Sequence, residues 1–264
     1  PWYLPESRYE LVWESSNPEV ATVDQNGNVE AMKKGNANIS LRILVDGKMS
    51  NIMASTRVTV KSEFVIEDRT LVAYKGRGGD VVIPDDEGIF YIGSFAFCLY
   101  DLNNDIIIDE DDYDANKVPA SNLSVTSVVV PEGVEEIQKY AFYNCEALQS
   151  VTLPESIKYV REYAFYNDQK LETVNLEKVI VIGANAFYNC VLLDGVDLSS
   201  IYAIGVRAFD HCSSLSSVDL STLRNTGKEA FRNCTSLETL TLSEDTKLSY
   251  GMFVNSGIRS LTLG

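Results

Sequence analysis

The chain has 264 residues, is 45% hydrophobic and carries a net charge of −16, yet nowhere shows the run of about 18 apolar residues that a membrane span requires. It is long enough to bury a sizeable core as two units, and an acidic surplus of this size argues against nucleic acid or anionic lipid as a partner, since both call for basic patches. The surplus is uneven: residues 1–62 hold seven acids and seven bases, so that the totals of 38 and 22 leave 31 and 15 for the remainder.

Residues 11–43 alternate apolar and polar side chains in short runs broken by Asn17-Pro18, Asn26-Gly27-Asn28 and Gly35. This pattern predicts antiparallel strands joined by tight turns, with residues 54–60 (ASTRVTV) as the last strand. The stretch W-x-S-S-N-P-x-V-A-T-V-D-x-x-G-x-V from Trp13, followed by G-x-A-x-I from Gly35, resembles a bacterial immunoglobulin-like domain of group 2. That resemblance implies a partial all-β sandwich over residues 1–62. Little sequence precedes Trp13, so the sandwich is expected to lack its first strand.

From residue 63 to 264 the texture is periodic. Ala-Phe, or Met-Phe in the last case, recurs at Phe142, Phe165, Phe187, Phe209, Phe231 and Phe253, at intervals of 23, 22, 22, 22 and 22 residues. A fixed period of about 20 to 29 residues means one supersecondary unit stacked on its own copies, because a single unit cannot bury its apolar face alone. Each unit repeats L-x-x-V-x-L, as in Leu148, Val151, Leu153 and in Leu193, Val196, Leu198. The spacing predicts one parallel sheet aligned on Val128, Val151, Val174, Val196, Val218 and Leu240, with a further strand at Leu261. Ile137, Val160, Ile182 and Ile204, four residues before each Ala, continue the inward face. Asn144, Asn167, Asn189, Asn233 and Asn255, two residues after each Phe, are expected to bond the open backbone groups of a turn. Phe64 to Ile83 should cap the stack.

At these residues, and most closely in LQSVTLPESIKYVREYAFYN (148–167), the chain resembles the BspA-like leucine-rich repeat family, whose units read roughly L-x-x-V-x-I-P…I-x-x-Y-A-F-x-x-C. The resemblance extends over about residues 64–264. It implies a right-handed leucine-rich repeat solenoid with a parallel β-sheet over 63–264, following the partial immunoglobulin-like sandwich. It also implies an exported, surface-attached bacterial protein concerned with adhesion.

Between Phe97 and Val125 the register is filled by an acidic insertion at about residues 99–122, with seven acids and no base between Asp101 and Asn116. Asp101, Asn103, Asp105, Asp109 and Asp112 fall on positions 1, 3, 5, 9 and 12 of an EF-hand-type Ca2+ loop, and Ile107 is placed to offer its carbonyl. The spacing resembles the dockerin variant. Ile106, however, stands where the motif wants Gly, in a left-handed turn that costs a β-branched residue about 1–2 kcal/mol. A calcium site and a solvated acidic loop both fit this segment.

Two further columns suggest ligand contact. The outward strand positions read Thr152, Asn175, Asp197, Asp219, Thr241 down the stack. Carboxylates on neighbouring strands about 4.8 Å apart repel, and a cation or a sugar hydrogen-bonded to Asn175, Asp197 and Asp219 would relieve them; a hydrated polar face is the alternative. Tyr143, Tyr166 and Tyr188 follow Phe in three successive units and should stack, flanked by Tyr140 and Tyr163. They serve either as an interaction surface or as packing between coils.

Cys145, Cys190, Cys212 and Cys234 share one repeat position, which reads as core and not as disulfides, and Asp168 takes that position in one unit. The sole histidine, His211, occupies a turn-Asn position, leaving no base for a nucleophile. Asp197 with Asp219 would be the carboxylate pair to test for glycoside hydrolysis, and both face the same kind of environment, which disfavours separate acid and base roles. The sequence therefore points to a non-enzymatic bacterial surface protein whose repeats bind protein or glycan ligands, with a plain structural spacer as the alternative.

Overall fold

The computed structural model describes residues 9–98 and 124–263. The chain divides into two compact units, Pro1–Glu63 and Phe64–Gly264, and the described residues form strands and turns with no helix.

In the first unit Gly35–Val45 lies between Tyr9–Ser15 and Lys48–Val60 in an antiparallel sheet, with Tyr9–Ser15 at an edge. The long hairpin closes through Asp46 and Gly47, at φ 50° and 75°, the left-handed pair that a two-residue turn matching the strand twist requires. A second hairpin pairs Ala21–Val23 with Val29–Ala31. Its turn is held by Asp24, whose Oδ1 accepts the N–H groups of Asn26 (2.8 Å) and Asn28 (2.9 Å). Val20, Ala21 and Ala37 form the small buried core, with Val58 and Val60 packed against it.

The second unit is a solenoid whose coils contribute short strands to two faces. One face opens with an antiparallel hairpin, Phe64–Glu67 with Thr70–Tyr74. Parallel two-residue strands follow from Tyr91–Ile92 to Asn225–Thr226, eight strands in all, aligning Leu71, Ile92, Ile137, Val160, Ile182, Ile204 and Thr226 without interruption.

The other face departs from expectation. The predicted single sheet is two: Gly79–Val82, Val125–Val129, Ser150–Thr152 and Thr173–Val174 form one, and Ser217–Leu220, Thr239–Leu242 and Ser260–Leu263 the other. Residues 194–198 between them form no strand. The cause is local: Gly195 adopts φ +64°, a left-handed conformation in which the extended ladder cannot run, where the coils from Ser127 to Ser260 otherwise carry Ser or Thr. Side chains take over. Asn175 Oδ1 accepts the Leu153 N–H (2.7 Å), and Asp194 Oδ1 accepts the Ser216 N–H (2.9 Å). The apolar register survives the break, since Val174 and Val196 are 4% and 7% exposed.

The interior is a column of phenylalanines. Phe97, Phe142, Phe165, Phe187, Phe209 and Phe231 are fully buried and stack ring on ring at 4.6–5.1 Å, closing on Phe253 at 5.6 Å. Such pairs add about 0.5–1.5 kcal/mol each beyond the area they bury. The cysteines are free and buried. Thiols of Cys190, Cys212 and Cys234 donate to the carbonyls of Phe165, Phe187 and Phe209 at 3.0–3.1 Å.

From the coil of Phe142 to that of Phe253 two left-handed places recur, one two residues before the Phe and one two residues after. Asn144, Asn167, Asn189, His211, Asn233 and Asn255 hold the second place at φ 57–66°, which explains the amides, since Asn tolerates this conformation best after Gly. Their side chains do not bond the turn backbone as the sequence suggested. Instead the amides bond one another from coil to coil: Asn167 donates to Asn144, Asn189 to Asn167 (2.6 Å) and Asn255 to Asn233 (3.0 Å).

Candidate interaction ridge

The two left-handed turns bring two columns of side chains together beside the Phe stack. The column two residues before Phe reads Phe95, Tyr140, Tyr163, Asn185, Arg207, Glu229, Gly251; the column one residue after reads Cys98, Tyr143, Tyr166, Tyr188, Asp210, Arg232, Val254. Phe95, Tyr140 and Tyr163 stack at 4.9 Å with rings within 18° of parallel, and Tyr143, Tyr166 and Tyr188 stack at 5.1 and 4.9 Å within 8°. The columns touch where Tyr140 meets Tyr143 edge to face at 5.7 Å. Tyr140 is buried, while Tyr143, Tyr163, Tyr166 and Tyr188 are half-buried. Both faces of Tyr166 and the inner faces of Tyr143 and Tyr188 are thus covered by neighbouring rings, while the outer side of Tyr188 meets His211 at 5.5 Å and 56°, so ring edges make up most of what the column presents.

Beyond Tyr188 the same columns turn ionic. Arg207 Nε bonds Glu229 Oε2 at 2.6 Å and Arg232 Nη1 reaches the same oxygen at 3.1 Å, which holds the Glu229 carboxyl below its ordinary range. Asp210, only 1% exposed, faces His211 Nδ1 at 2.9 Å and accepts Asn233 Nδ2 at 2.9 Å. The tyrosines were legible in the sequence, whereas Asp210, Arg207, Glu229 and Arg232 were missed. Their signal is positional: they hold the places in later coils that tyrosines hold in earlier ones.

The outward sheet residues are placed differently. Asn175 is half-buried and both ends of its amide bond Leu153. Asp197 and Asp219 are exposed, and one oxygen of each accepts the N–H two residues ahead, at Ser199 and Ser221, both at 2.9 Å. That bonding holds the Asp197 carboxyl below its usual range. Because residues 194–198 form no strand, Asp197 is not paired in a ladder with Asp219. The calcium-loop residues Asp101, Asn103, Asp105, Ile107, Asp109 and Asp112 lie outside the described residues. Among the described residues no three His, Cys, Asp or Glu side chains are grouped to hold a metal ion, and no helix is long and apolar enough to cross a membrane.

The period, the buried Phe stack and the parallel strands are those of a leucine-rich array, and the model of the BspA type leucine rich repeat region matches residues 79–193, 116–218 and 177–264, in six copies. The chain belongs to this BspA-type family. Residues 5–43 match the bacterial Ig-like domain (group 2). Among solved structures the chain is similar to a leucine rich repeat protein of T. pallidum, at 23% identity and TM-score 0.47 over 73% of each chain. It is similar also to a leucine rich cell surface protein from Faecalibacterium prausnitzii, at 22% identity and TM-score 0.43 over 70% of this chain and 53% of that one. A third is a leucine-rich repeat protein from Bacteroides ovatus, at 17% identity and TM-score 0.41 over 78% and 76%. No curated protein matches the chain. A BspA-type array of this kind supports a repeat-built binding or scaffold role.

Proposed function

We propose that this chain is a non-enzymatic part of an exported bacterial surface protein, and that its BspA-type array adheres to a protein ligand through the ridge built on Tyr143, Tyr166 and Tyr188. The stacking carries this reading. A sugar ring settles on an aromatic face that is open, whereas here ring covers ring at 4.9–5.1 Å. Ring edges followed by the fixed charges of Arg207, Glu229 and Arg232 combine amphipathic aromatic area with ordered polar groups, the composition that protein interfaces favour.

Glycan or cation binding at Asn175, Asp197 and Asp219 has less support, because the Asn175 amide and one oxygen of each aspartate are already engaged. The shared bonding speaks against hydrolysis, since the exposed Asp197 and Asp219 carboxylates each accept the N–H two residues ahead and so lack the contrasting partners that would separate an acid from a base. A rigid spacer is the second reading, favoured by the burial of Tyr140, which packs coil on coil.

The experiment is an array of cell-surface proteins and glycans probed with the intact chain and with Tyr166→Arg. Arg already occupies this column at Arg232, so the fold should accept it. A protein ligand held by the parent and lost by the variant is the expected result. Binding that survives the substitution, or that is confined to glycans, moves the site elsewhere; no binding by the parent favours the spacer.

A further inference from the structure

In four coils the residue three places after Phe is a cysteine whose thiol points to the carbonyl of the Phe one coil back: Cys145 to Phe97 (3.8 Å), Cys190 to Phe165 (3.0 Å), Cys212 to Phe187 (3.1 Å) and Cys234 to Phe209 (3.1 Å). In the coil of Phe165 that residue is Asp168, a carboxyl with no exposure at all. Its Oδ1 accepts the Cys145 N–H at 2.6 Å, while Oδ2 is buried without a hydrogen-bond partner among the described residues. The titratable groups it acts on are the thiols of Cys98, Cys145 and Cys190, which burial keeps protonated, and among the described residues no cation offsets its charge. The carbonyl that the column assigns to it, that of Phe142, accepts the Cys145 N–H at 3.2 Å. The Phe187 carbonyl accepts the Cys190 N–H at the same distance and a thiol besides.

We propose that Asp168 sits in the folded array as a neutral carboxylic acid, its Oδ2–H donating to the Phe142 carbonyl in the role a thiol plays elsewhere, and that losing this proton loosens the coils on either side. The orphaned oxygen then has a partner, and the array carries a proton-linked weak point in the middle of its Phe stack.

Burial drives this carboxyl well above the usual carboxylate range, opposed only by the Cys145 N–H bond. The sign follows from proton counting. The unfolded chain releases the Asp168 proton near the ordinary value of about 3.9, while the folded chain keeps it. The contribution of Asp168 to stability is therefore greatest at the acid end and falls as pH rises toward the folded value, by up to about tenfold in the folding equilibrium constant per pH unit, and then levels off. This opposes the trend set by a turn-bonded surface carboxylate such as Asp197, whose stabilisation disappears as pH falls.

The test is denaturant unfolding of the intact chain in reducing buffer at intervals from about pH 5 to about pH 9, for the parent, Asp168→Asn and Asp168→Cys. Asn keeps an acceptor for Cys145 and a donor for Phe142 without a titrating proton, and Cys restores the column. The parent should lose stability relative to both variants as pH rises; a difference that stays constant over the range overturns the proposal. Infrared spectroscopy of the parent at neutral pH tests it even where the variants fail to fold. A protonated-carboxyl band that resists solvent exchange is expected, and its absence refutes the neutral acid.

Discussion

Asn175 holds both polar ends of Leu153: its Oδ1 accepts the Leu153 N–H at 2.7 Å and its Nδ2 donates to the Leu153 carbonyl at 2.9 Å. The pair stands in for ladder bonds at the place where the first sheet stops. Asn175→Ala removes a part-buried amide from two backbone groups, so the urea midpoint should drop by the equivalent of about 1–3 kcal/mol with the slope unchanged. An unchanged midpoint would mean that water replaces the amide without loss.

His211 should behave as a turn residue with no chemical role. At φ 66° it holds a place that Asn fills in the other coils. His211→Asn should therefore fold as stably as the parent or better, while His211→Val should lose about 1–2 kcal/mol from the left-handed strain of a β-branched residue. Thermal melts of the pair decide it, and equal losses in both would point to the ring itself.

Leu198 is 1% exposed in a coil that forms no strand on its sheet side. If packing alone fixes that coil, Leu198→Ala should cost about 2–5 kcal/mol, as for any well-enclosed leucine. A loss under 1 kcal/mol would show that this coil collapses freely onto its neighbours.

The loop spacing at Asp101, Asn103, Asp105, Ile107, Asp109 and Asp112 gives a fourth expectation. Millimolar calcium should raise the melting temperature of the parent relative to chelator, and Asp101→Ala with Asp105→Ala should abolish the rise. No rise in the parent leaves a solvated acidic loop; a rise that persists in the double variant moves the metal to other carboxylates.

Much of the fold was readable because the period itself encodes it. Phe142 to Phe253 mark every coil, and the alternation at Val151 and Leu153 sets what faces inward, so a repeated error in register would have been visible six times over. Gly195 could not be read this way. As one outward residue among Ser150, Thr173, Ser217 and Thr239 it looks like a neutral substitution, yet its left-handed φ ends one sheet and starts another. The ridge was half legible for a related reason. Aromatic residues announce a column, whereas Asp210, Arg207 and Glu229 share nothing in composition with the tyrosines they replace. Nor could the sequence tell that stacking at about 5 Å would hide the ring faces, which decides what the ridge can hold.

The interruption at residues 194–198 has a mechanical side. On the interrupted face this coil is held to the coil before it through the Asp194 N–H to the Glu172 carbonyl, at 3.3 Å, and to the coil after it through the Asp194 side chain, which accepts the Ser216 N–H at 2.9 Å. The opposite face keeps its ladder through Val181–Ile182 and Ala203–Ile204. Bending that opens the interrupted face meets little main-chain resistance, and bending the other way must break a continuous spine. Under tension or shear the array should flex in one plane at this coil and stay stiff in the other.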